Sequence, residues 1–365
     1  MHNRINNIQI LRGFAAVLVL YFHSNFIGFG KYPTGGFGVD IFFVISGYIM
    51  AMICEVSPSK FFLRRVIRIV PPYWAFTLLV FGIAAARPQL VGATNTSVVD
   101  LVMSLFFIPF RKGSNLIQPT LVVGWTLNYE MYFYSAIALA LLVSKKWAPV
   151  LASAAVVVVF GTLRLFAAKT TAGQFYGADI SLEFVLGVGT YYVATRTKLE
   201  TLTQAKGPLV CLAIGALGYL LWFDAYRPPA MQGTPHVLLF GIASALLMVS
   251  VASLSRVGLD LENRPLILLG DASYVLYLSH AFVFLAITRV LAPKWHWLSE
   301  GSFPMMAVGI VASVAFAVLL HRYGERPALA FFNRHLLKRG GRAPAPLAPP
   351  TEYQAPPEPA DERTR

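Results

Sequence analysis

Residues 36–55 read GFGVDIFFVISGYIMAMICE, a stretch without Lys or Arg and with only two carboxylates, Asp40 near its start and Glu55 at its end. Its apolar residues leave no continuous polar stripe, unlike the half-buried helix of a soluble domain. Coiled as an α-helix, a stretch of this length rises about 30 Å, the thickness of a bilayer's hydrocarbon core. The segment therefore predicts a membrane-spanning helix, and Asp40 is an ionisable group set inside it.

Working outward, similar apolar blocks occur at 8–27, 71–87, 121–143, 148–168, 179–195, 209–223, 236–254, 266–291 and 303–321. Together they predict ten spans. The block at 98–110 is too short to cross and reads as an interfacial or re-entrant helix. Composition agrees: 56% of the 365 residues are hydrophobic and 13% charged, against about a quarter charged in soluble proteins. Only helices and closed barrels satisfy their backbone in lipid. The expected fold is all-α, a polytopic membrane bundle of about ten transmembrane helices, which excludes an ordinary soluble enzyme.

The net charge of +13 has its plainest meaning as topology, since Lys and Arg gather in cytoplasmic loops. Arg4, Lys60, Arg64, Arg65, Arg68, Lys145, Lys146, Arg196, Lys198, Lys206, Arg256 and Arg264 fall on one side, joined by the basic residues after the last span. Fewer fall on the other, so both termini are expected in the cytoplasm. No basic run is interleaved with aromatics, and no nucleic-acid partner is expected. Arg4 before an apolar run resembles a signal peptide, but Arg12 interrupts that run and no small-residue cleavage site follows His23, so a retained span is expected. Residues 1–335 form the expected transmembrane domain. Residues 336–365, rich in Pro and Ala, form an expected disordered cytoplasmic tail. No room is left for an appended soluble catalytic domain.

Against so apolar a background, ionisable residues within spans stand out. Arg12 and His23 are eleven residues apart, which returns to within about 20° on a helix, so both side chains share one face. Asp40, Glu130 and His280 fall at similar depth in other spans. Two histidines and two carboxylates at one depth suit general acid–base chemistry, with a carboxylate holding an imidazole in one tautomer. His23 has an equally good reading as a packed histidine when taken alone. Arg65 and Arg68, three residues apart on an expected short helix, face the same way and suit phosphate. Plain positive-inside topology explains them equally well. Pro71-Pro72 is expected to restart the chain as span three.

Other candidates are weaker. Arg164, Asp179 and Glu183 lie near the outer ends of spans five and six and are expected to pair or to line an acceptor site. Trp74, Trp125, Trp295 and Trp297 fit interfacial anchors. Gly35, Gly36 and Gly38 permit tight backbone but make no nucleotide fingerprint. Ser46 and Ser279 lack a GxSxG setting. Cys54 and Cys211 belong to no Cys/His cluster, so neither a disulfide nor a metal is expected.

Five blocks together carry a resemblance: NIQILRGFAAVLVLYFH (7–23), GGFGVDIFFVISGYIM (35–50), Arg65–Arg68 followed by Pro71, WTLNYEMYFY (125–134) and ASYVLYLSH (272–280), with GERP closing at 324–327. They resemble the membrane acyltransferase-3 family, in its exopolysaccharide acetyltransferase type, across residues 5–327. The resemblance implies transfer of an acetyl group from cytoplasmic acetyl-CoA to a polysaccharide or lipid-linked glycan, at a bacterial inner membrane. It maps functional roles onto Arg12, His23, Arg65, Arg68 and Glu130. Read together with the residue pattern, His23, Glu130 and Asp40 are catalytic candidates, Arg12, Arg65 and Arg68 bind CoA phosphates, and His280, Arg164 and Glu183 line the acceptor side. Whether His23 acts as general base or carries the acetyl group stays open. A transporter or flippase for a glycan precursor, with buried charges along its path, is the competing class. A non-catalytic subunit of an envelope polysaccharide machine is a third.

Overall fold

In a computed structural model, residues 5–24, 34–91, 96–112, 116–196, 206–226, 233–295, 297–299 and 301–337 are described. Of the tail expected over residues 336–365, residues 338–365 lie outside those described. Among the described residues the chain is helix and turn, with one isolated bridge between Arg111 and Ile117. The principal helices are α1 (Asn6–His23), α2 (Gly38–Val56), α3 (Phe61–Ala86), α4 (Val98–Leu105), α5 (Trp125–Val143) and α6 (Ala148–Phe166). They continue as α7 (Glu183–Arg196), α8 (Lys206–Tyr226), α9 (Ile242–Arg256), α10 (Arg264–Ala286), α11 (Phe303–Leu320) and α12 (Arg326–Leu336).

Eight helical stretches are long and apolar enough to cross a bilayer: Gly38–Val56, Phe61–Ala86, Val122–Val143, Ala148–Phe166, Lys206–Tyr226, Val237–Arg256, Arg264–Lys294 and Phe303–Leu336. The other two expected spans correspond to α1 and α7. Helix α1 has 18 residues, but Asn6, Asn7, Gln9 and Arg12 hold its hydropathy down. Helix α7 has only 14. Both pack among neighbours, α1 against α10 and α2, and α7 against α2 and α9. A helix surrounded by protein need not match the lipid. On the outside, Leu142, Val143, Leu165, Phe166 and Val311 are exposed, a surface suited to hydrocarbon rather than water.

Two glycine crossings set the interior. A Cβ on Gly270 would stand 2.0 Å from the Gln9 carbonyl, and one on Gly13 would press on the Gly270 backbone at 3.0 Å. Helices α1 and α10 therefore touch through their backbones, the close approach that small residues permit in membranes. Gly47 and Gly187 do the same for α2 and α7, each facing a carbonyl of the other helix at 2.2 Å from its would-be Cβ. Beyond that crossing, Glu55 of α2 accepts from Tyr191 (2.5 Å) and Arg196 (2.7 Å) of α7.

Helix α1 lacks a side-chain cap of its own at Ile5. The loop before α10 supplies one: the Asp260 carboxylate accepts from the backbone N–H groups of Asn6 (3.3 Å) and Asn7 (3.0 Å). An acid at a helix N-terminus also meets the positive end of its dipole.

One expectation is corrected. Pro71-Pro72 does not restart the chain; both prolines lie inside the continuous α3. Close to that turn the Tyr274 hydroxyl of α10 donates to the Ile69 carbonyl at 2.7 Å; the carbonyls that the prolines deprive of an N–H are those of Ile67 and Arg68. The 98–110 block contains α4, held to α3 by Tyr73 and Trp74, which donate to the carbonyls of Ser104 (3.0 Å) and Leu105 (2.8 Å).

Candidate active site

Ten residues beyond the Gly13–Gly270 crossing on both helices, His23 and His280 meet. His280 Nε2 lies 3.0 Å from His23 Nδ1, and the rings stack with centroids 4.8 Å apart. On its other side, His280 Nδ1 lies 3.1 Å from the Leu276 carbonyl. A carbonyl only accepts, so in the neutral pair His280 carries its proton on Nδ1 and accepts at Nε2. His23 then donates from Nδ1, which leaves the lone pair of its imidazole on Nε2. A buried histidine thus fixes the tautomer of its partner as a base. His280 is buried. His23 lines a cavity of about 480 Å³ with Phe22, Asp40, Trp125, Asp224 and His236.

A second, tighter cavity of about 90 Å³ adjoins it, with Val39 and Tyr277 in the walls of both. Arg12 of α1, Arg65 and Arg68 of α3 and Glu130 of α5 converge there with Tyr134, Ser273 and Tyr274. Arg12 is aimed by hydrogen bonds to Gln9 Oε1 and Ser273 Oγ, both 3.1 Å. Glu130 accepts from the Tyr134 hydroxyl at 3.0 Å. Among the described residues no carboxylate oxygen approaches any of these three guanidiniums within the 4.0 Å of an ion pair, and Arg65 Nε is buried without a hydrogen-bond partner. Three arginines facing one carboxylate leave a formal surplus of two positive charges, a setting for an anion such as phosphate.

At the far side of the wide cavity, Asp40 meets His236, whose Nε2 lies 2.5 Å from Asp40 Oδ1. Glu183, fully buried, lies 3.9 Å from the same nitrogen. The first turns of α2 and α7 bring the two carboxylates together above the Gly47–Gly187 crossing. His236 precedes the π turn Val237–Gly241.

A sequence profile of the acyltransferase-3 family, described as an acyltransferase domain, matches residues 5–322. The chain belongs to that family. It is 32% identical over 307 residues to the exopolysaccharide production protein ExoZ of Rhizobium meliloti, covering 82% of this chain and 90% of that protein. It is 26% identical over 363 residues to the putative peptidoglycan O-acetyltransferase YrhL of Bacillus subtilis, covering 89% of this chain. The peptidoglycan O-acetyltransferase OatA of Listeria monocytogenes is 24% identical over 348 residues. The chain spans about half the length of these last two, 55% and 54%. No solved structure matches.

This acyltransferase-3 member is thus a multi-pass membrane acyltransferase, and its expected site residues separate into two groups. Arg12, Arg65, Arg68 and Glu130 share the tight cavity; His23 and Asp40 share the wide one. The partner of His23 is His280, whereas the sequence suggested Glu130 or Asp40 for that part. Glu130 is turned to the arginines and Asp40 to His236. Arg164 does not pair with Asp179 or Glu183 among the described residues; it is exposed and stands over the Phe160 ring at 5.9 Å. Trp125 faces inward as part of the wide cavity rather than anchoring the rim.

Sequence reasoning missed His236, Asp224 and Tyr277 in this acyltransferase. His236 could have been found as a histidine at the head of an apolar block, at a depth matching Asp40. Asp224 holds the Gly35 amide at 2.6 Å; Gly35 has φ +102°, and a Cβ there would meet the Leu18 carbonyl at 2.4 Å, so glycine is required.

Proposed function

We propose that this protein is a bacterial inner-membrane O-acetyltransferase that moves an acetyl group from cytoplasmic acetyl-CoA to a surface polysaccharide or its lipid-linked precursor. The observation that carries this reading is the adjacency of an arginine-lined cavity to a wider one bearing an imidazole whose tautomer is set for base catalysis. Arg12, Arg65 and Arg68 take the CoA phosphates through charge-assisted hydrogen bonds. The pantetheine arm runs past Val39 and Tyr277 to bring its thioester to His23. The glycan hydroxyl enters the wide cavity.

His23 Nε2 removes the hydroxyl proton as the oxygen attacks the thioester carbonyl. The C–O bond forms, the tetrahedral intermediate collapses, and the C–S bond breaks. The leaving CoA thiolate takes the proton back from His23, which returns to the neutral state. The His280 ring holds the imidazole throughout; as His23 becomes an imidazolium, its Nδ1–H bond to His280 Nε2 strengthens. This assigns His23 the part of general base and needs no acyl-histidine. Glu130 offsets part of the arginines' mutual repulsion.

The polysaccharide acceptor follows from likeness to a protein of exopolysaccharide production. Mass spectrometry of surface polysaccharide from cells with and without the gene tests it. An acetyl-sized mass difference on a sugar is expected, restored by the wild-type protein and not by His23→Ala at equal abundance. Identical polysaccharide with and without the protein rejects the acceptor. Acyl transfer by the His23→Ala protein at a rate close to that of the wild type rejects the base.

A further inference from the structure

Two buried carboxylates side by side repel unless a cation or proton lies between them. Asp40 is 2% exposed and Glu183 0%. Neither has a Lys or Arg within ion-pair distance among the described residues; their only such neighbour is His236. Glu183 stands out further, because both of its oxygens are buried without a hydrogen-bond partner. An unsatisfied carboxylate of this kind is among the costliest groups a protein can bury.

We propose that Asp40, Glu183 and His236 form a binding site for a divalent transition-metal ion of the Zn2+ class. The three donor atoms lie within 4.8 Å of one another. One imidazole nitrogen and two carboxylate oxygens suit Zn2+ or Mn2+ better than Mg2+ or Ca2+, which favour oxygen alone. Donors about 2.0–2.2 Å from a tetrahedral ion stand roughly 3.4 Å apart. Binding therefore requires the His236–Asp40 contact to open from 2.5 Å and the His236–Glu183 contact to close from 3.9 Å. The Asp179 carboxylate holds the Val237 amide at 3.0 Å, so the residue next to His236 is already anchored. Three protein ligands leave a coordination position open. Asp40 and His236 both line the wide cavity, which His23 also lines. A metal is not legible in the sequence, whose cysteines are far apart, because the donors Asp40, Glu183 and His236 come from three separate segments.

The test uses full-length protein purified in detergent through a tag without histidine, stripped with chelator and re-equilibrated with micromolar Zn2+. Elemental analysis is expected to find about one more ion per chain than in a Glu183→Gln/His236→Ala double variant. Co2+ added to stripped wild-type protein is expected to give visible d–d absorption that Zn2+ abolishes. The cobalt experiment needs no variant, so it decides the matter even where the double variant fails to fold. Absence of both saturable Zn2+ uptake and a Zn2+-displaceable Co2+ spectrum in the wild-type protein overturns the site. Equal zinc in the wild type and a well-folded double variant overturns it as well.

Discussion

The two cavities share a wall yet are built from opposite chemistry. The tight one, about 90 Å³, gathers Arg12, Arg65 and Arg68 around a single carboxylate; the wide one, about 480 Å³, presents His23, His236, Asp40 and Asp224. Fixed guanidinium charge serves binding, because arginine does not titrate in a working range. Imidazole serves chemistry, because its neutral form carries a lone pair that can accept a proton. Separating them keeps the full charge of the arginines away from the imidazole, which must stay neutral to act as a base. In a medium of low effective dielectric, like charges on one wall would oppose the imidazolium that forms during transfer.

Four variants sharpen that division. The largest effect is expected in the wide cavity: His23→Ala should lower the rate of acetyl transfer by about 10²–10⁴-fold, the usual contribution of a positioned general base. His280→Ala removes one of the hydrogen bonds that orient it, about 1 kcal/mol and so roughly fivefold. Equal losses in the two variants, at matched abundance, would break the assignment of base and orienting group.

In the tight cavity, Arg65→Ala combined with Arg68→Ala removes charge-assisted bonds of about 1.5–3 kcal/mol each. Acetyl-CoA affinity should fall about 100-fold or more in an equilibrium binding assay. Transfer at saturating donor should fall far less. A collapse of the saturated rate with unchanged affinity would reverse the roles of the two cavities.

The smallest effect is expected at the partition. The Tyr277 hydroxyl lies 2.7 Å from the Val123 carbonyl and 2.8 Å from Thr126 Oγ1. Tyr277→Phe leaves those groups without it, at about 1 kcal/mol, read as a lower thermal midpoint of the detergent-solubilised protein. If the midpoint does not move, Tyr277 is held by packing alone and the wall between the cavities is softer than its hydrogen bonds suggest.

The membrane fold was legible because its signal is local. Any window such as 36–55 or 303–321 shows it without knowledge of the rest. The limits of that legibility are physical too. Helix α1 begins with Asn6, Asn7, Gln9 and Arg12 and α7 has only 14 residues, so hydropathy and length, which report on lipid, underrate them. Pro71-Pro72 reads as a break because local propensity disfavours proline in a helix, while the packing of α3 on α10 comes from residues some 200 positions on. Depth arithmetic along each span placed His23, Asp40, Glu130 and His280 at comparable levels. It could not show which of them meet laterally, since that depends on the glycine crossings. His23 accordingly found His280 instead of a carboxylate, and Glu183 found Asp40 and His236 instead of Arg164.

The Gly13–Gly270 crossing also acts as a fulcrum. From it, α1 and α10 extend as two arms about 15 Å long, ten residues at 1.5 Å each, with one imidazole at the tip of each arm. A change of about 4° in the angle between the arms moves the tips apart by roughly 1 Å, enough to lose a hydrogen bond. A substitution that shifts the Gly13–Gly270 crossing is therefore expected to part His23 from His280 without touching either histidine.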